Sequence, residues 1–212
     1  MKLSGAQWLA LLAAVIVIPL AALFFLQRER PSPTMTRIDT PPKLTFDGPV
    51  VVHLDTSLGE LELALDPLKA PRTVENFVQY ANSGFYEGTV FHRVIKGFMI
   101  QGGGMDSTLA EKATRASIPN EGTNGLRNDR GTIAMARTSD PNSATSQFFI
   151  SLVDNTFLNA TGSTPGYAVF GKVTAGLEVL DAIGNVETGA VGQFGDVPKT
   201  PVVIRKVTIA KH

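Results

Sequence analysis

Arg93, Gln101 and Gln147 are long polar residues set among apolar ones in segments of strand-like composition. Side chains alternate between the two faces of a strand, so Phe91, Arg93 and Ile95 share one side while Val90, His92 and Val94 take the other. By the same rule Met99 pairs with Gln101, and Gln147 with Phe149. A packed interior rarely holds unpaired Arg and Gln, so these faces describe an outer groove with an apolar floor and a few directed hydrogen-bonding groups. A solvated strand face with incidental aromatics fits the same pattern, and pattern alone leans toward it.

Covalent and metal chemistry find little support. The chain has no cysteine, which excludes disulfides, thiolate nucleophiles and cysteine-based metal sites. No Gly-x-Ser-x-Gly occurs, and the histidines His53, His92 and His212 form no H-E-x-x-H pair. No ligand cluster is visible, so neither a metal nor a cofactor is expected. Nineteen basic and nineteen acidic residues balance to a formal charge of zero, which argues against a nucleic-acid partner. Gly102-Gly103-Gly104 lacks the context of a phosphate loop and reads as a place of close backbone approach.

The elements that must position these residues are mostly strands. Val50 to Thr56, Gly59 to Leu65, Thr89 to Ile95, Phe98 to Gln101, Thr132 to Ala136, Gln147 to Ser151, Ala168 to Val173 and Val202 to Ala210 are rich in Val, Ile and Phe and bounded by turn residues. In the second of them Leu61, Leu63 and Leu65 share a face. In the last, the apolar alternation slips out of phase near Arg205 and Lys206, which predicts a bulge. Helical spacing of Val74, Phe77, Val78 and Ala81 after Pro71 predicts one helix ending at Asn82-Ser83-Gly84, and Leu177, Leu180 and Ile183 predict another ending at Gly184. The fold class is therefore mainly β: a closed eight-stranded antiparallel barrel capped by two α-helices. At this strand number side chains fill the interior, so a ligand binds outside or at a rim. Met105 to Arg130 is polar, glycine-containing and long enough to suggest a functional loop.

Ahead of this domain, Trp8 to Leu26 is a run of nineteen uncharged residues, longer than most signal-peptide cores and close to a bilayer-spanning helix. Residues 1–29 thus read as a short tip and a transmembrane anchor, with a cleaved signal as the alternative. Residues 30–42 contain four prolines and form a tether, and residues 43–212 form the domain. Lys2 competes with Arg28 and Arg30 in the positive-inside comparison, so charge alone does not set the orientation.

Several blocks in order raise a specific resemblance: Phe91-His92-Arg93-Val94-Ile95, Gly97-Phe98-Met99-Ile100-Gln101-Gly102-Gly103, Ala134-Met135-Ala136-Arg137, Ser146-Gln147-Phe148-Phe149-Ile150 and Val169-Phe170-Gly171-Lys172-Val173. With Pro71 to Phe77 matching a first helix, the region from Val50 to Ala210 resembles the cyclophilin family of peptidyl-prolyl cis-trans isomerases, in its bacterial branch. The resemblance implies catalysis by Arg93, supported by Gln101 and Gln147, with Phe98, Met99, Phe149 and Leu158 lining a proline pocket. Ala136 and Gln101 would hold the substrate backbone, with Arg137, Phe157 and Tyr167 at the margins. His92, next to the arginine but on the other face, reads as structural.

The sequence departs from the family's eukaryotic pattern at three places. Phe157 stands where many members carry tryptophan, and a phenyl ring has no N–H donor, so weak cyclosporin binding is expected. Tyr167 replaces a usual histidine and Arg137 a common asparagine. The implied activity is a cofactor-free isomerase, expected to be a monomer, acting on proline-containing polypeptides during folding of exported or membrane proteins. The implied location is the inner membrane, single-pass, with the domain in the periplasm; a soluble periplasmic product is the alternative. A second functional class, a chaperone or scaffold that binds proline segments with little turnover, needs the pocket but not the arginine.

Overall fold

The computed structural model describes residues 46–210. The apolar span at Trp8 to Leu26 and the proline-rich tether lie outside these residues, and no helix among the described residues is long and apolar enough to cross a membrane. In chain order the elements are β1 (Val50–Thr56), β2 (Gly59–Leu65), α1 (Pro71–Asn82), β3 (Arg93–Ile95), β4 (Met99–Gly102), β5 (Thr132–Met135), β6 (Phe148–Ser151), a 3-10 turn (Thr156–Leu158), β7 (Val169–Ala175), α2 (Leu177–Gly184), β8 (Thr188–Val191), β9 (Phe194–Pro198) and β10 (Ile204–Ile209). Both helices fall where apolar spacing places them. Strands β8 and β9 form a separate two-stranded sheet that the strand survey missed. Its signal is the pair Gly192-Gln193 between two short runs, with Gly192 at φ 58° as a tight hairpin requires.

One eight-stranded sheet runs in the order β10-β1-β2-β7-β5-β6-β4-β3. It curls into a half-barrel, which corrects the expected closed ladder. Strand β3 is too short to pair with β10, because residues before Arg93 leave the strand path. The gap is bridged instead by that preceding segment: Phe91 N–H donates to the Val202 carbonyl at 2.9 Å and Ile204 N–H to the Thr89 carbonyl at 2.8 Å. The predicted bulge is present, since Asp55 pairs with Lys206 and Thr56 with Ile204, leaving Arg205 as the extra residue.

Strand alternation divides the apolar side chains into two sets. Leu61, Leu63, Leu65, Ile100, Ile133, Phe148, Ile150 and Phe170 point into the curl and form the main core with α1 and α2. The α1 residue Phe77 lies 5.0 Å from Tyr86, 5.7 Å from Phe148 and 5.5 Å from Phe170 between ring centroids, so one helical side chain joins the helix to β6 and β7. Met99, Ala134, Phe149 and Val169 point the other way and make a smaller cluster on the outer face. These four are themselves buried beneath partly buried Phe98, Leu126, Leu158 and Tyr167, so the outer face of the sheet carries a second, smaller apolar cluster.

Helix α1 has no side-chain cap of its own at Ala70. Glu121, from the long polar loop, supplies one: its carboxylate accepts from Arg72 N–H at 3.1 Å, Thr73 N–H at 2.9 Å and the Thr73 hydroxyl at 2.7 Å. The loop is also held by Arg115, whose guanidinium stacks over Tyr80 at 4.2 Å, and by Lys112, whose ammonium lies 4.8 Å over Phe85. Thus the loop's first structural task is to cap and brace α1. Glu121→Ala is expected to lower stability by about 1 to 2 kcal/mol, read as a lower urea midpoint at unchanged slope. An unaltered midpoint would show that solvent replaces the carboxylate without cost.

Candidate active site

Register builds the site. Arg93 on β3 faces Gln101 on β4, Gln101 faces Phe149 on β6, Phe149 faces Ala134 on β5, and Ala134 faces Val169 on β7. Directly opposed residues share a face, so this one line across five strands lays a cation, an amide and an aromatic floor side by side on the outer surface. The neighbouring line contributes Ile95 opposite Met99. A cavity of about 130 Å³ opens over these lines, lined by Arg93, Phe98, Met99, Gln101, Ala136, Arg137, Phe149, Leu158 and Tyr167. Nine of the eleven candidate residues named from the sequence line this one cavity; Gln147 and Phe157 stand just outside it.

Phe157 is 72% exposed and stacks on Phe98 with centroids 5.6 Å apart, extending the apolar wall outward. Gln147 lines an adjoining cavity of about 300 Å³ that shares Gln101, Ala136 and Arg137 with the first. It orients Gln101, whose Nε2 donates to Gln147 Oε1 at 3.0 Å. Gln147 can lie there because Gly104 has no side chain: a Cβ on Gly104 would stand 2.4 Å from Gln147 Cγ. At Gly103, which has φ 81°, a Cβ would meet Phe148 Cε1 at 2.7 Å. The triple glycine thus serves close backbone approach, as its context predicted.

The pocket wall rests on buried asparagines that composition did not single out. Asn155 Nδ2 donates to the Phe98 carbonyl at 3.0 Å, and its own carbonyl accepts from Leu158 N–H at 2.9 Å, tying the β4 end to the 3-10 turn. Asn128 N–H donates to Asn159 Oδ1 at 2.7 Å just beyond that turn. Isolated asparagines in loop sequence give no periodic signal, so only the folded geometry reveals them. On the opposite wall, Arg137 donates to the Gly166 carbonyl from Nη2 at 3.1 Å and to the Thr138 carbonyl from Nη1 at 2.9 Å. Its guanidinium lies 4.4 Å over the Tyr167 ring, which meets Phe149 edge-on at 5.6 Å. Arg93, by contrast, is exposed and makes no side-chain hydrogen bond or ion pair among the described residues.

One expected alternation does not hold. Phe91 does not share the outer face with Arg93; it is fully buried in the core, its ring 6.1 Å from Phe148. The ladder begins only at Arg93, so strict alternation does not extend back across His92. His92 is 5% exposed and its Nδ1 has no partner. Burial lowers its pKa from 6.5 to about 4, against the smaller opposing effect of the Val90 carbonyl. It is a neutral structural residue rather than a proton donor to the groove.

The sign of its pH effect follows. The unfolded chain takes up a proton near pH 6.5 that the folded chain refuses until about pH 4. Stability is therefore expected to be level above that upper value and to fall through the interval, by roughly 2 to 3 kcal/mol from this one group. Urea midpoints taken from pH 7.5 to 4.5 on the protein and on His92→Gln check it; equal pH slopes in the two would overturn the assignment.

The fold and groove define a class: a mainly β domain that carries, on the outer face of its sheet, a small apolar pocket flanked by guanidinium and amide donors. A family model described as cyclophilin type peptidyl-prolyl cis-trans isomerase/CLD matches residues 51–209. The chain is similar to peptidyl-prolyl cis-trans isomerase A of Dickeya dadantii, at 58% identity over 160 residues, covering 76% of this chain and 84% of that one. It is similar to peptidyl-prolyl cis-trans isomerase B of Escherichia coli at 50% identity over 164 residues, covering 76% of this chain and 100% of that protein. Among solved structures, a cyclophilin type isomerase of Cryptosporidium parvum superposes with a TM-score of 0.66 at 30% identity, covering 77% of this chain and 99% of that one. The chain belongs to the cyclophilin-type peptidyl-prolyl cis-trans isomerases and is an enzyme of that type.

Proposed function

We propose that Arg93 catalyses X-Pro isomerisation by stabilising the twisted amide. The C–N bond of an X-Pro peptide resists rotation by roughly 18 to 20 kcal/mol because the nitrogen lone pair is delocalised into the carbonyl. Rotation returns that lone pair to the nitrogen, which becomes a hydrogen-bond acceptor in the transition state and in no ground state. A donor aimed there acts on the transition state alone. The observation that carries this reading is the exposed, unpartnered guanidinium of Arg93, set in register beside Gln101 at the rim of the apolar cavity. Phe98, Met99, Phe149 and Leu158 grip the proline ring, Ala136 and Gln101 hold the flanking backbone, and Gln147 keeps Gln101 oriented. Tyr167 and Arg137 close the far wall, and Phe157 extends the near one.

In this reading the protein assists the folding of exported or membrane proteins as a monomer, held to the inner membrane by Trp8 to Leu26 with its domain in the periplasm. The length of that apolar run and the proline-rich tether support attachment to a membrane, and the periplasmic side rests on the resemblance to exported bacterial members. Cyclosporin binds weakly because Phe157 offers no N–H.

For the full chain in mild detergent, Arg93→Ala is expected to lower kcat/KM on an X-Pro tetrapeptide about 100-fold or more while peptide affinity changes little, measured by exchange spectroscopy and titration. Turnover that survives in the variant removes Arg93 from the mechanism. Slow turnover in the parent, with affinity lost in the variant, describes a proline-binding scaffold instead. Location has its own test: protease added to intact spheroplasts is expected to digest the domain, and full protection would put it on the cytoplasmic side.

A further inference from the structure

The groove carries an imbalance of charge that isomerisation alone does not require. The two cavities that meet at Gln101, Ala136 and Arg137 are lined by three cations, Arg93, Lys112 and Arg137, and by one carboxylate, Glu111. Lys112 already donates from its ammonium to the carbonyls of Phe85 and Glu87. Arg93 has no ion-pair partner, and Arg137 donates only to neutral carbonyls, those of Gly166 and Thr138. Among the described residues no carboxylate comes within ion-pair distance of either arginine.

Arg137 is also held in place. Its guanidinium lies 4.4 Å over the Tyr167 ring, and the Gly166 carbonyl accepts from both Nε and Nη2 along one edge. Asn120 Nδ2 donates to the same carbonyl at 3.1 Å, and a Cβ on Gly166 would stand 2.3 Å from Ala160 N, so that turn itself has little freedom. The remaining N–H groups of a fork fixed this way suit a carboxylate, and little side-chain entropy is left to lose on binding one. Because Arg137 lines both cavities, a chain whose proline fills the first and whose neighbouring residue enters the second passes beside it.

We propose that Arg137 makes this isomerase selective for proline flanked by an acidic residue, a specificity that rests on the isomerase reading above. The preference comes from an uncompensated, pre-oriented cation at the junction of the two cavities. Arg93 strengthens the local field but is engaged with the proline nitrogen, so Arg137 is the specificity determinant.

The test uses the full chain in mild detergent and two sets of tetrapeptides, with Glu, Gln or Lys placed before proline in one set and after it in the other. Rates are read by exchange spectroscopy, free of protease. At low ionic strength one set is expected to show kcat/KM about five-fold higher for Glu than for Gln, with Lys lowest, and the ratio is expected to shrink as salt shortens the screening length. In Arg137→Gln the Glu-to-Gln ratio falls to about one whatever the absolute rate, and Arg137→Lys restores part of it. Should Arg137→Gln fail to fold, the salt dependence in the parent chain decides the matter. Equal rates for Glu, Gln and Lys in both sets overturn the selectivity and leave the isomerase intact; absence of turnover on every peptide overturns both.

Discussion

The antiparallel pairing of β3, β4 and β6 is the constraint on which the site depends. Arg93 and Gln101 lie on consecutive strands and Phe149 is far from both in sequence; register makes the three neighbours. A slip of one residue in β4 would turn Gln101 and Met99 into the core and bring Ile100 out. The core opposes that slip, because Ile100, Phe148 and Ile150 are fully buried on the inner face. Gly102 adds a second restraint, since a Cβ there would stand 3.0 Å from the Val90 carbonyl and from the Phe91 ring. Catalytic geometry and core packing are thus two faces of one pairing.

Around this rigid line the walls of the pocket are loops, and polar networks hold them. Asn155 ties the backbone of Phe98 to the turn that carries Phe157 and Leu158. Arg137 and Asn120 share the carbonyl of Gly166, so the turn before Tyr167 is anchored from two directions. The loop of 105–130 braces α1 at one end through Glu121 and lines the second cavity at the other through Glu111, Lys112 and Thr114. Helix stability and groove shape are therefore linked through one segment. A site whose reaction breaks no covalent bond works by shape and by preorganised donors, and it is these networks that supply the preorganisation.

Much of this was legible in the residues themselves. Helical spacing located both helices and alternation located most strands and the Arg205 bulge; the paired faces of Met99 with Gln101 and Gln147 with Phe149 allowed an outer groove, but pattern alone leaned toward a solvated face and the family resemblance carried the groove reading. Legibility failed where local pattern is not what decides the structure. Phe91 goes to the core because the chain crosses to β10 there, a tertiary event invisible in a two-residue period. The β8-β9 hairpin has few apolar residues to advertise it, and the asparagine network and the Glu121 cap join residues separated by long stretches of chain. The half-barrel in place of a closed one reflects the shortness of β3, which alternation read as longer.

In the proposed mechanism an apolar pocket seats the proline ring while Arg93 faces its nitrogen. A crystal structure of the chain with a bound X-Pro tetrapeptide tests this most directly. The ring is expected against Phe98, Met99, Phe149 and Leu158, with a guanidinium N–H of Arg93 directed at the proline nitrogen within about 3.5 Å. A peptide seated with its proline elsewhere, or with Arg93 turned to solvent, would contradict it.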